Sequence, residues 1–112
     1  MKNTLLIIAI FLSASFKAQS DNIVDQKIFV NGKCGMCEDR IENLLDVKGI
    51  KLAEWDLNTK MCRIVYRKDK ITEKDIHQLL ANGGHDTKKV KASEKAYNNL
   101  HHCCHYERED ES

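Results

Sequence analysis

Two cysteines, Cys34 and Cys37, stand two residues apart in the segment NGKCGMCEDRIENLL, residues 31–45. A thiol pair at this spacing can hold a soft metal ion, exchange disulfides with another protein, or close a small structural loop. Thiolates are soft ligands that select ions such as Cu(I) over hard cations. Gly35 lies between the two and lets the backbone turn without a side-chain clash, so both sulfur atoms can point at one ion.

The position of the pair at the start of a predicted helix favours the thiolate form, because the N-terminal end of a helix stabilises negative charge. This activation would serve metal capture and disulfide exchange alike. Thioredoxin-like enzymes, however, ordinarily place a cis-proline against the C-x-x-C motif, and this chain contains no proline. A purely structural disulfide would close a ring of four residues and constrain little of the unfolded chain. We therefore predict a metal site, with a redox pair as the alternative.

A second group of candidate ligands lies near the C-terminus in the run HHCCH, residues 101–105. Five candidate ligands in five residues indicate metal binding by composition, against the alternatives of a disordered or disulfide-bonded tail. The chain has five cysteines, an odd number that cannot all be paired within one chain. We predict that Cys103 and Cys104 are additional ligands that complete or guard the site of Cys34 and Cys37. A stable zinc site would need about two such extra ligands.

The remaining thiol and two isolated histidines receive structural roles. Cys62 falls on the inward side of a predicted strand, where a free cysteine usually acts as a small core residue. His77 lies on a helix flank and His85 follows a pair of glycines. For both histidines we predict a surface or capping role rather than metal ligation.

The elements that must position the thiols follow from hydrophobic periodicity and capping signals. Thr72 and Asp75 have the spacing of a capping box, and Ile71 and Ile76 flank it as a hydrophobic staple. The predicted elements are a strand at 23–30, a helix from about 36, strands at 50–57 and 61–67, a helix from 73 to the glycines 83–84, and a weak last strand at 87–91.

This order predicts an α+β fold, a ferredoxin-like βαββαβ sandwich in which two helices cover one face of a four-stranded antiparallel sheet. The sequence SEKAYNNLHHCCHY adds a short C-terminal helical tail capped by Ser93. We divide the chain into a signal peptide at 1–20, a domain at 21–91 and a Cys/His-rich extension at 92–112.

The first twenty residues have the features of a secretory signal. Lys2 precedes a short apolar run at 5–12, and the small-x-small ending Ala18-Gln19-Ser20 follows. The apolar run is too short for a membrane span. We expect a protein that is exported across the inner membrane to the periplasm and has no membrane span in its mature form.

Charge and motif content argue against several classes of function. Removal of Lys2 and Lys17 with residues 1–20 leaves 16 basic and 17 acidic side chains, a formal charge of −1. This balance gives no electrostatic case for binding nucleic acid. No serine-histidine-acid arrangement, phosphate loop or pair of catalytic carboxylates can be assigned from spacing, so we do not predict an enzyme.

The motif and the element order together resemble the heavy-metal-associated domain, the module of copper chaperones and periplasmic mercury-binding proteins. The resemblance extends from about residue 23 to about residue 90 and rests on G-x-C-x-x-C at 32–37, followed by Gly49, Ile50 and Ala53 in the pattern G-[IV]-x-x-[AV]. It implies that Cys34 and Cys37 bind Cu(I), with Hg(II) or Zn(II) as other candidate ions. It also implies a metal-accepting or metal-donating partner protein. The methionine that the family usually has before its first cysteine is missing here.

Overall fold

The computed structural model describes residues 21–109, so the predicted signal peptide lies outside the described part of the chain. Within these residues, seven short elements follow one another, and their order agrees with the sequence-based prediction except that the last predicted strand is missing. They are β1 (Ile23–Phe29), α1 (Gly35–Leu44), β2 (Ile50–Trp55), β3 (Met61–Arg67), α2 (Glu73–Asn82), α3 (Glu94–Asn98) and a 3-10 turn (His102–Cys104).

The sheet is antiparallel and has the strand order β1-β3-β2, with β3 in the centre. The limits of β3 match the prediction, and β1 ends one residue earlier than expected. β2 stops at Trp55 instead of residue 57 because Asp56 starts the hairpin turn. The Asp56 carboxylate accepts hydrogen bonds from the backbone N–H groups of Asn58 and Thr59 at 2.7 and 3.2 Å.

The predicted fourth strand is wrong: within residues 21–109 the sheet has three strands, and only an isolated bridge joins Val30 to Thr87. The segment folds back on itself instead of extending. The Thr87 backbone N–H donates to the Val90 carbonyl at 2.9 Å, and the Thr87 hydroxyl accepts from the backbone N–H groups of Lys89 and Val90 at 3.2 and 3.1 Å. A residue whose backbone and hydroxyl close a local turn cannot also continue a strand ladder.

The core lies between one face of the sheet and the two longer helices. Alternation along β3 buries Cys62, Ile64 and Tyr66 while Arg63 is exposed, as the sequence predicts. α1 and α2 add aliphatic side chains to this layer. The buried residues of α1, of its C-cap and of α2 that join the core cluster are Cys37, Ile41, Leu45, Ile76 and Leu80.

The start of α2 confirms the predicted capping box. The Thr72 hydroxyl accepts from the Asp75 backbone N–H at 3.1 Å, and the Asp75 carboxylate accepts from the Thr72 backbone N–H at 3.1 Å. Ile71 and Ile76 are both buried beside it. These contacts fix where α2 begins and therefore which of its faces meets the core.

Of the surface or capping roles predicted for His77 and His85, the surface location is wrong, because the two residues are only 3% and 0% exposed. His77 Nδ1 lies 2.5 Å from the Thr87 hydroxyl oxygen, which stabilises the turn that replaces the fourth strand. His85 Nδ1 lies 2.8 Å from the Asn31 carbonyl oxygen. Burial lowers the pKa of His85, so the neutral imidazole is favoured.

The C-terminal extension packs on the domain and buries the segment after α2. Leu100 and Tyr106 join the core cluster. The Tyr106 hydroxyl donates to the Gly84 carbonyl at 2.7 Å and accepts from the Asp86 backbone N–H at 2.9 Å. Gly84 has φ of +99°, and a side chain there would lie 2.8 Å from the Ala96 carbonyl oxygen. Only glycine permits this close approach of the tail.

Helices in the described part of the chain are all shorter or more polar than a bilayer crossing requires.

The Ser93 cap of α3 agrees with the sequence prediction, since the Ser93 hydroxyl accepts from the Ala96 backbone N–H at 3.1 Å.

We predict that Tyr106→Phe lowers the free energy of unfolding by about 1–3 kcal/mol, because it leaves a buried carbonyl and a buried N–H without their partner. Urea unfolding of the full chain measures this change. Tyr66→Phe is the matched control, because the Tyr66 hydroxyl has no hydrogen-bond partner among residues 21–109 and its loss should cost much less. Equal, small changes in the two variants would show that the tail is not docked as described.

Candidate metal centre

The loop that carries the first two thiols is held against the core by Trp55. The Trp55 indole N–H donates to the Val30 carbonyl at 2.9 Å. A side chain at position 32 would lie 2.9 Å from the Trp55 ring and 3.2 Å from Cys37 Cβ, so Gly32 allows the loop to pack at this distance. The turn that follows places Cys34 directly before α1 and Cys37 in its first turn.

Cys34, Cys37 and Cys104 form a compact group of thiols. Their three Sγ atoms all lie within 4.8 Å of one another. Cys34 Sγ is 3.6 Å from Cys37 Sγ and 3.6 Å from Cys104 Sγ. The Lys33 backbone N–H points at Cys37 Sγ from 3.4 Å. Cys104 of the tail therefore lies beside the C-x-x-C pair.

Cys103 contacts the same group from the outside. Its Sγ atom is 3.0 Å from Cys34 Sγ, 4.0 Å from Cys104 Sγ and 3.8 Å from Met36 Sδ. The sequence alone did not indicate a role for Met36. The one feature that could have suggested a place for it in the site is its position between the two cysteines. The site thus includes five sulfur atoms, with Cys34 in contact with three other thiols.

Burial differs across these sulfur atoms. Cys37 and Cys104 are buried, Cys34 and Cys103 are partly exposed, and Met36 is 49% exposed. The group therefore has a closed side within the core and an open side facing solvent. An ion or a partner protein can reach the sulfur atoms from the side of Cys34, Cys103 and Met36.

The electrostatics of the group favour ionisation of Cys34. Burial opposes its ionisation, but hydrogen bonds from the Cys103 thiol, the Cys37 backbone N–H and the Cys104 thiol lower the pKa of Cys34 to about 7. The same contact with Cys34 raises the pKa of Cys103. Burial, with the contacts to Cys37 and Cys34, raises the pKa of Cys104. Of Cys34, Cys103 and Cys104, Cys34 is therefore the thiol whose ionisation is favoured.

The 3-10 turn positions the tail thiols. The Cys104 backbone N–H donates to the His101 carbonyl at 2.7 Å, which closes the turn. Among residues 21–109, the compact group of three thiols includes one residue of the HHCCH run, which is Cys104. His101 and His102 are exposed with their rings stacked on each other, and the ring of His105 packs against that of Tyr97.

Cys62 lies away from the site, as predicted. It is completely buried on β3 between Ile28 and Trp55 in the strand register. Burial, followed by the nearby Glu42 carboxylate, raises the pKa of Cys62 to about 12. This thiol is a core residue and an internal reference for the reactivity of the others.

Comparison with known proteins gives a consistent structural result. No protein-family model and no curated protein sequence matches the chain. Among solved structures, the CopZ metallochaperone is 21% identical with a TM-score of 0.55, and the match covers 57% of this chain and 98% of that one. A copper binding domain from the P-type ATPase HMA7 is 23% identical with a TM-score of 0.55, over 57% of this chain and 89% of that one.

Oxidized MerP from Ralstonia metallidurans CH34 is 13% identical with a TM-score of 0.51, and the match covers 58% of this chain and 96% of that one. Together these structures confirm the predicted resemblance to heavy-metal-associated domains at the level of the fold. The chain is an α+β protein with an antiparallel sheet of this type. In this chain a docked extension brings two further cysteines to the C-x-x-C loop.

We predict that alkylation of Cys34 in the reduced apo-protein rises with pH and reaches half its maximum near pH 7, well below the value of about 8.5 for an unperturbed thiol. Cys103→Ala should move this midpoint to higher pH because it removes a hydrogen bond that stabilises the thiolate. Peptide mass spectrometry after short pulses of iodoacetamide resolves each thiol, with Cys62 as the unlabelled reference. A midpoint near 8.5 in both proteins would contradict this description of the site.

Proposed function

We propose that this protein captures a soft, thiophilic metal ion, most favourably Cu(I), through the thiolates of Cys34, Cys37 and Cys104. The observation that carries the proposal is the convergence of these three Sγ atoms within 4.8 Å. Metal–sulfur bonds of about 2.3 Å, as in zinc thiolates, allow two ligands of one ion to be at most ~4.6 Å apart. The two contacts of Cys34, both at 3.6 Å, satisfy this limit.

The choice of ion follows from the chemistry of the donors. A group made of sulfur alone suits Cu(I) or Hg(II) better than a hard cation. A structural zinc site almost always has four ligands, so Zn(II) would require Cys103 as well. The ion is cargo in this proposal, and the protein supplies ligands without a catalytic turnover.

The anchored third thiol favours buffering over rapid hand-over. Cys104 is 1% exposed, and its backbone is fixed by the docked extension. A partner that takes the ion must therefore displace Cys37 and Cys104 by adding its own thiolates on the open side, next to Cys34. We propose that a metal-accepting or metal-donating protein meets the site there, and that nucleic acid is not a ligand.

The location is part of the proposal as well. Residues 1–20 have the features of a secretory signal, which supports export to the periplasm. Thiol pairs in such a compartment tend to become oxidised. A bound Cu(I) ion would slow oxidation of the thiolates, because coordination makes their sulfur electrons less available to react with an oxidant.

Thiol–disulfide exchange is the second candidate function. It is favoured by the contact of Cys34 with Cys103 at 3.0 Å and by the lowered pKa of Cys34. An oxidoreductase would reduce a disulfide substrate repeatedly in the presence of a dithiol reductant, and Cys34→Ser would abolish that turnover. If the protein binds Cu(I) tightly but does not turn over a disulfide substrate, the metal-binding function is favoured over the oxidoreductase function.

We predict that Cys34→Ala and Cys37→Ala each weaken Cu(I) binding by about 10- to 100-fold or more, since loss of even an outer-shell partner has an effect of that size. Titration against a competing Cu(I) chelator under anaerobic, reducing conditions measures this change. Cys62→Ala is the matched control, which should lose about 1 kcal/mol of stability but no affinity. Undiminished affinity in the Cys34/Cys37 double variant would rule out the proposed site.

We predict that Cys104→Ala releases Cu(I) to excess chelator faster by on the order of tenfold, equivalent to about 1.4 kcal/mol, because the ion keeps two thiolates instead of three. Stopped-flow absorbance of the chelator complex gives the rate. The variant leaves Leu100 and Tyr106 in place, so the tail remains docked. A release rate equal to that of the wild type would show that Cys104 is not a ligand.

A further inference from the structure

The sulfur atoms at the site outnumber the ligands that one Cu(I) ion needs. Cys34, Cys37 and Cys104 already provide three thiolates within 4.8 Å of one another. Two more sulfur atoms, Cys103 Sγ and Met36 Sδ, lie 3.8 Å apart on the solvent side of this group. They have no part in a three-thiolate site.

Geometry divides the five sulfur atoms into two sets that share Cys34. The inner set is the group of Cys34, Cys37 and Cys104. The outer set is Cys34, Cys103 and Met36, in which Cys103 Sγ lies 3.0 Å from Cys34 Sγ and 3.8 Å from Met36 Sδ. Both distances are below the ~4.6 Å limit for two sulfur ligands of one ion. Cys103 is therefore close enough to Cys34 and to Met36 to share an ion with either of them.

We propose that the protein binds two Cu(I) ions per chain as a thiolate-bridged pair, with Cys34 as the bridge and the outer ion held by Cys103 and the Met36 thioether. This inference rests on the proposed function, since the inner ion occupies the site described above. A thiolate sulfur has three lone pairs and can therefore coordinate two soft cations at once. Thiolate and thioether are both ligands that select Cu(I).

The charge balance supports the pair. Four thiolates around one Cu(I) ion would carry a net charge of −3, and the second Cu(I) ion reduces this to −2. Formation of the pair releases the thiol protons to solvent, creates copper–sulfur bonds and changes no oxidation state. It requires no oxidant or reductant beyond the supply of Cu(I).

The outer set is also held in place before any ion binds. Cys103 belongs to the 3-10 turn that the docked tail positions, and its backbone N–H points at His101 Nδ1 from 3.5 Å. Met36 lies in the first turn of α1, between Cys34 and Cys37 in the sequence. The outer ion would consequently be the more exposed of the two and the first to be exchanged with a partner.

Anaerobic titration of the full chain with Cu(I), with copper and protein measured after desalting, tests the inference. We expect two copper ions per chain in the wild type and in Cys62→Ala, and one in Cys103→Ala. Met36→Leu should keep the inner ion and lose most of the outer one on the same desalting step. X-ray absorption of the fully loaded wild type should show a short copper–copper path that is missing in Cys103→Ala.

The outcomes separate this inference from the proposed function. One copper ion in both the wild type and Cys103→Ala would overturn the bridged pair and leave the inner site intact. Two copper ions in Cys103→Ala would also overturn it. No copper retained by the wild type would refute the proposed function itself, and with it the inference.

Discussion

The ion pair between Arg108 and Asp86 holds the C-terminal extension on the domain, and the geometry of the thiol group depends on that docking. Two nitrogen atoms of the guanidinium group meet the two carboxylate oxygens at 2.7 and 2.9 Å, and the Ala92 backbone N–H donates to the same carboxylate at 2.7 Å. A buried carboxylate with its hydrogen bonds satisfied avoids the penalty of an unpaired charge. Tyr106 adds two hydrogen bonds next to it.

Docking of the tail changes the chemistry available to the C-x-x-C loop. Two thiolates at a helix start form an open site from which an ion can pass directly to another protein. In the proposed function, Cys104 would already lie beside the C-x-x-C pair when an ion arrives, and this additional ligand would favour retention over rapid exchange. The contact with Cys103 also lowers the pKa of Cys34, so the docked tail favours the thiolate form of Cys34.

Local sequence signals predicted most of the fold because each one has a local physical cause. The placement of Cys62, Ile64 and Tyr66 at alternate positions predicted β3, and the capping box at Thr72 predicted the start of α2. The prediction of a fourth strand was wrong because the Thr87 side chain accepts hydrogen bonds from the backbone N–H groups that a strand would use.

The burial of His77 and His85 depends on contacts that are distant in sequence, so periodicity could not reveal it. The Tyr106 ring of the extension stacks on His85, and the contact between His85 Nδ1 and the Asn31 carbonyl oxygen spans 54 positions. The same reason explains why sequence analysis could propose Cys103 and Cys104 as ligands but could not identify Met36 as their neighbour. The spacing of residues along the chain does not encode which surface a tail will meet.

The central claim is that the loop and the tail together bind one soft ion with three thiolates. X-ray absorption at the copper edge, on the full chain loaded with one equivalent of Cu(I) under anaerobic conditions, measures the number of sulfur ligands directly. The account predicts three sulfur atoms at a single distance. Two sulfur atoms in a linear arrangement would contradict it, because the tail thiol would then lie beside the ion without binding it.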